Sequence, residues 1–192
     1  MKYIEEEKFS NLVLDNEVIE EIEFTECVFD KCQFLEVDVR NCIFRNCEFK
    51  DCVICNIKFD ICSMTNTLFV NNILVGIDWI LLKLKGNPTL PFSLLESCQI
   101  RYNIFNKMEL TKFDFSTCKF EESYFDECNL VGSNFHGLNL CNTKFTRCDL
   151  SKSDFREATE YNIDVKDNIV RKAKFSFPEV VNLLNSFDII ID

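Results

Sequence analysis

The chain has 192 residues, is 47% hydrophobic and carries a net charge of −11 from 32 acidic and 21 basic side chains. That length fits one domain with a terminal appendage, and the acidity repels phosphate backbones, which speaks against direct nucleic-acid binding. No basic leader precedes an apolar run and no apolar stretch approaches ~20 residues, so neither a secretory signal nor a membrane span is expected, and the setting read from this is cytoplasmic.

Residues 1–18 read as an N-terminal cap of degenerate repeats: Phe9, Leu14 and Ile19 are five apart and can add a coil, but Glu7 and Glu17 fall where small interior residues belong. From Phe24 the spacing becomes strict. Phe24, Phe29, Phe34, Val39, Phe44, Phe49, Ile54, Phe59, Met64, Phe69, Leu74 and Trp79 follow at every fifth position. An α-helix repeats its faces every 3.6 residues and a strand every two, so a period of five fits neither. The position two before each centre is mostly Cys or Ser, as at Cys27, Cys32, Cys42, Cys47, Cys52, Cys62, Ser123 and Cys128. A five-residue unit with one large and one small inward side chain turns a corner at each repeat and winds into a solenoid of stacked, strand-like coils. The solenoid is assigned to residues 19–159.

The count is interrupted after Trp79. Residues 80–94 hold the Gly86-Asn87-Pro88 turn signal and the apolar residues Leu81, Leu82, Leu84, Leu90 and Phe92. This segment is expected to leave the rod as a loop or to kink it. Leu82 and Phe92 are either partner contacts or packed back on the rod. The count resumes one residue out of phase at Leu95 and runs through Ile100, Phe105, Leu110, Phe115, Phe120, Phe125, Leu130, Phe135, Leu140, Phe145, Leu150 and Phe155, making 25 apolar centres in all. It fails at Glu160, and residues 160–192 read as a C-terminal cap. There Ser176 and Glu179 form a capping-box pattern with Pro178 in the first turn, predicting a helix near 177–186 followed by an extended tail. Val180, Val181, Leu184 and Phe187 share one face of that helix, which covers the last coil edge and offers Val181, Leu184 and Phe187 to a second chain.

Ten of the twelve cysteines lie on the interior phase and read as reduced core filler. Cys55 and Cys141 stand one residue after a centre and should face outward. No catalytic, metal or cofactor set emerges. His136 is the only histidine and follows the centre Phe135, an outward slot, and there is no Gly-rich phosphate loop among four glycines.

The units "CKFEE", "CNLVG", "SNFHG", "CDLSK" and "SDFRE" resemble those of the pentapeptide-repeat proteins over residues 19–159. The resemblance implies an all-β fold, a right-handed quadrilateral β-helix with four repeats per coil, and a short C-terminal helix that joins two chains tail to tail. Centres 20 apart should then share a side, as Phe29, Phe49 and Phe69, or Leu110, Leu130 and Leu150. The 25 centres give about six coils, a rod of ~30 Å at a strand spacing of ~4.8 Å. The chain also resembles the quinolone-resistance branch of that family, acidic rods that mimic DNA and bind DNA gyrase and topoisomerase IV. The acidity is concentrated in residues 1–80, net −9, against −2 for the remainder. The residues expected to meet a basic partner are Glu20, Glu23, Glu26 and Asp30, with Leu82 and Phe92 orienting. The alternative is a repeat scaffold that binds another protein.

Overall fold

In the computed structural model, residues 1–82, 90–187 and 189 are described. The chain winds as a four-sided parallel β-solenoid of about eight turns, ~38 Å long at a strand spacing of ~4.8 Å. Strands of mostly three residues form each side, with the middle residue buried and its neighbours facing out. We label the sides A to D in chain order. Side A stacks Ile4, Phe24, Phe44 and Met64. Side B stacks Phe9, Phe29, Phe49 and Phe69. Side C runs through Leu14, Phe34, Ile54, Leu74, Ile100 and Phe120, and side D through Ile19, Val39 and Phe59, then Phe105, Phe125 and Phe145. The expected columns therefore form, and Phe9 extends the first of them.

Stacking like on like is favourable because offset aromatic rings attract beyond the area they bury. On side B the Phe9, Phe29, Phe49 and Phe69 centroids are 5.1, 4.6 and 5.1 Å apart, with planes within 13°. The corners are turned by one residue per repeat in the left-handed region, with φ from 47° to 63° at the non-glycine ones. Asparagine, which tolerates this region better than other side-chain-bearing residues, stands at eight of them, including Asn46, Asn56 and Asn66.

The preference for Cys and Ser before each centre also has a hydrogen-bonding cause. The Cys47 thiol donates to the Phe24 carbonyl at 3.5 Å and Cys62 to Val39 at 3.1 Å. The Ser133 and Ser153 hydroxyls reach the Leu110 and Leu130 carbonyls at 2.6 Å. The small side chain thus fills the corner and satisfies a carbonyl of the preceding coil. Where Asn replaces it the tie doubles: Asn72 accepts from the Cys52 amide at 2.7 Å and donates to the Phe49 carbonyl at 2.8 Å.

Residues 2–20 form a complete first coil, hydrogen-bonded to the next, the further coil that the spacing of Phe9, Leu14 and Ile19 allowed. Its inward residues Ile4, Phe9, Leu14 and Ile19 are half-buried because no coil lies above them. The winding also continues beyond Glu160. Phe145 pairs with Ile163, Ile169 bridges to Asp149, and Phe155 pairs with Phe175. The step from 145 to 163 is two residues short and is made up before 169, so counting by fives breaks at Glu160 and recovers at Val170 and Phe175. The expected terminal helix forms over Glu179–Phe187 and is wound as 3₁₀. A three-residue turn aligns i with i+3, which places Leu183 against the core and lets Ser186 Oγ accept from the Val165 amide at 3.3 Å. Val181, Leu184 and Phe187 then lie on another line, separated from Val180. The capping box does not form as expected: the Ser176 hydroxyl accepts from the Glu157 amide at 3.2 Å, continuing the coil ladder.

The interruption is an insertion of six residues, since Phe69 pairs with Leu95 at a separation of 26 instead of 20, with a register shift at Thr67 and Leu68. Asp78 caps a single 3₁₀ turn, Trp79–Leu81, by accepting from the Ile80 amide at 3.1 Å. Leu82 is 4% exposed and Phe92 0%. Phe92 packs edge-on against Trp79 at 5.0 Å and Phe113 at 5.5 Å. The Gly86-Asn87-Pro88 turn, Leu84 and the tail beyond Ile189 lie outside the described residues.

Candidate partner-binding surface

Along each strand the inward residue is flanked by two outward ones, so side membership follows from position within the 20-residue coil. Glu20 lies on side D, paired in register with Arg40. Glu23 lies on side A, Glu26 at the corner between A and B, and Asp30 on side B. The four carboxylates therefore spread over three sides of the rod near its N-terminal end and do not share one side. Two of them are already engaged. The Arg45 guanidinium donates to Glu23 at 2.8 Å, and Lys8 stands 2.8 Å from Asp30 and holds that carboxyl below the ordinary carboxylate range. Among the described residues no ion pair holds Glu5, Glu6, Glu7, Glu17, Glu20, Glu21 or Glu26. These make the N-terminal coil a collar of free carboxylates.

Leu82 and Phe92 do not belong to this surface. Both face the interior, where they fill the space opened by the insertion, so their side chains are not offered to a partner. Leu81, at 43% exposure, is the outward member of that segment. At the other end Leu184 and Phe187 are 38% and 48% exposed, and Val181 is half-buried. The Lys166 ammonium covers the Phe187 ring at 5.1 Å. A single ionic bracket organises side B near this end: Arg156 holds Asp154 at 2.6 Å with Lys174 at 3.5 Å, and the guanidinium keeps the Asp154 carboxyl well below the usual carboxylate range.

His136 sits on the outer surface, 3.8 Å from Glu157. Among the described residues no group of three or more His, Cys, Asp or Glu is placed to hold a metal, and no helix is long and apolar enough to cross a membrane. The ten in-phase cysteines are buried and all twelve are unbridged; Cys55 and Cys141 are partly exposed. Burial pushes Cys47 up to about 11 and Cys52 and Cys118 up to about 12. Cys55 is raised by its own partial burial, and Cys141 by its hydrogen bond to Glu160. Alkylation needs the thiolate. Iodoacetamide should therefore modify only Cys55 and Cys141 in the folded chain, slowly at neutral pH and faster as pH climbs past the ordinary thiol range. Peptide mass mapping over a pH series checks this; rapid native labelling of Cys47 or Cys128 would overturn the interior register.

The family model for pentapeptide repeats (8 copies) matches residues 105–137 and 123–159. A search of curated proteins finds no match by sequence. Among solved structures, the chain is similar to HetL, a pentapeptide repeat protein involved in heterocyst differentiation regulation from the cyanobacterium Nostoc sp. strain PCC 7120. The two are 11% identical with a TM-score of 0.56, over 88% of this chain and 85% of that one. Full-length QnrB1, a plasmid-mediated fluoroquinolone resistance protein, aligns over 95% of this chain and 100% of its own at 17% identity, with a TM-score of 0.37. The HetL likeness is one of fold. The family's repeat is matched over residues 105–159, and the same five-residue geometry winds around the rod from Ile4 to Phe175, so the chain carries pentapeptide repeats and has the fold of the pentapeptide-repeat β-helices.

Proposed function

We propose that the protein is a non-catalytic, protein-binding rod whose acidic N-terminal end occupies a basic groove shaped for duplex DNA, with DNA gyrase or topoisomerase IV as the partner. The observation that carries this reading is the collar of unpaired carboxylates on the first coil and its corners. Fixed negative charges on a stiff cylinder present to such a groove what a duplex presents, without base edges. Of the four residues singled out in the sequence, Glu20 and Glu26 are free for this role, whereas Glu23 and Asp30 must first give up Arg45 and Lys8. The test is a supercoiling assay with purified gyrase. Inhibition is expected at low salt and should fade steeply as salt rises, as electrostatic contacts with nucleic-acid sites do. The combined Glu20→Lys and Glu26→Lys variant should lose at least tenfold in potency while keeping its circular dichroism. If the wild-type protein neither binds gyrase at low salt nor alters supercoiling, the topoisomerase reading is wrong.

A second reading, a scaffold for a different protein, is favoured by the spread of the carboxylates over three sides, since one flat basic surface meets only some of them. In either case we assign Val181, Leu184 and Phe187 to a two-chain contact. Leu184 and Phe187 are large apolar side chains left partly exposed, and Phe177, in the segment leading into the helix, is 82% exposed. Light scattering should give a dimer for the wild-type chain and a monomer for Leu184→Glu with Phe187→Glu. A monomeric wild type at micromolar concentration disposes of the assignment.

A further inference from the structure

The outward positions of a solenoid side should be polar, because they face water, and over most of this rod they are. Side C of the second to fourth coils departs from that rule. In register, Gln33, Val53 and Ile73 form one outward row, and Leu35, Cys55 and Val75 the other. Leu35, Val53, Cys55, Ile73 and Val75 are contiguous and only half-buried. The same two rows continue as Gln99 with Lys119 and Arg101 with Glu121, all polar. Composition along the side therefore changes abruptly at the fifth coil, and the apolar segment is a bounded patch.

A recess opens at the corner between sides C and D, beside this patch. It is lined by Glu36, Asn56, Lys58, Gly76, Asp78 and Leu81. Gly76 turns that corner with φ 65° where its counterparts carry side chains, as Glu36 and Asn56 do. Lys58 is directed to Asp38 at 4.0 Å, while Glu36 and Asp78 have no ion-pair partner among the described residues. The net charge lining the recess is negative.

We propose that this patch and recess form a docking site for an amphipathic, basic α-helix of a partner protein. Three strands ~4.8 Å apart present an apolar strip ~10 Å high, the width of a helix. A helix with leucine-like residues at i, i+3, i+4 and i+7 lays its apolar face on such a strip. A lysine or arginine on the flank of that helix meets Glu36 and Asp78 in the recess. Nucleic acid is excluded by the flanking carboxylates. A second copy of this chain is poorly served, because it brings a flat sheet and another pair of carboxylates. This site is separate from the N-terminal carboxylate collar and does not depend on the topoisomerase reading.

The probe is a fluorescein-labelled synthetic helix of leucine and lysine in a seven-residue apolar repeat, with a leucine–glutamate helix of the same pattern as control. Anisotropy is measured with the full chain at moderate salt. The basic helix should bind and the acidic one should not. Val53→Asp discriminates by sign: it adds negative charge to the rod but breaks the apolar strip, so binding should fall at least tenfold. Equal or tighter binding by Val53→Asp means that the helix adheres to acidic surface in general, and the proposal fails. Val75→Thr, nearly isosteric and outward, should weaken binding severalfold without altering the fold, and the Glu36→Gln, Asp78→Asn pair should weaken it and flatten its salt dependence. Glu20→Gln with Glu26→Gln should leave it unchanged; a loss there places the helix on the collar instead and also overturns the proposal. Sedimentation of the wild type and Val53→Asp completes the set, since an oligomer lost only in the variant identifies a second copy as the occupant.

Discussion

Phe125→Ala should be among the most destabilising single substitutions in the rod, at about 3–5 kcal/mol, the range for emptying a buried aromatic site. Phe125 has no exposed surface, lies parallel to Phe105 at 4.6 Å and to Phe145 at 5.1 Å, and meets Phe115 and Phe135 edge-on at 5.7 and 5.9 Å. Its removal takes away contacts in the coil above, the coil below and the opposite side B. The coils on either side are held apart by their backbone ladders and cannot close over the gap, so the transfer and cavity penalties both apply. Chemical denaturation of the variant should show this loss, whereas Lys119→Ala, an outward change on side C, should stay within about 0.5 kcal/mol. Similar losses at the two positions would mean that the inward register is wrong.

Trp79 carries the second large effect. It occupies a side D position just before the insertion, is 3% exposed, lies nearly parallel to Phe105 at 6.1 Å and packs edge-on against Phe69 and Phe92 at 5.6 and 5.0 Å. Its indole Nε1–H donates to the buried Asn103 Oδ1 at 3.0 Å, and Asn103 in turn donates to the Leu74 carbonyl at 2.8 Å. Trp79→Ala should cost about 3–5 kcal/mol for the cavity, and a further ~1–3 kcal/mol for an acceptor left without a donor. Trp79→Phe separates the two contributions. It retains most of the ring and loses the donor, so a drop of about 1–3 kcal/mol is expected. A Phe variant as stable as the wild type would show that Asn103 finds water or rotates to another donor, and that the bond contributes little.

The columns were legible from Phe24 to Phe155 because one short period forces every inward residue, and a coil of four units converts that period into sides. The same count, taken modulo 20, would have separated Glu20, Glu23, Glu26 and Asp30 onto different sides; grouping them by nearness in sequence hid this. Ile163 was not legible because it stands two residues short of the fives, whereas Val170 and Phe175 return to the count beyond the break at Glu160. The type of the terminal helix was not legible either. The apolar pattern at 180, 181, 184 and 187 suits an α-helix, but contact with Val165 selects the tighter winding. Leu82 and Phe92 looked available because the period around them had failed, although the insertion itself created the interior space that they fill.

The 20-residue coil makes the length of this molecule a quantised variable. Adding or removing a whole coil, such as residues 27–46, leaves every remaining side chain on its side, joined to a neighbour of the same geometry. A change of one to four residues rotates everything downstream by part of a turn and sets carboxylates where phenylalanines belong. The six extra residues between Phe69 and Leu95 show the available escape: Phe69 still pairs with Leu95, and the winding is in phase again from there. Growth by duplication is thus open to such a chain at every coil, while point insertion is confined to places where the register can be recovered. Its history is expected to be written in twenties, with the odd remainders stored in loops.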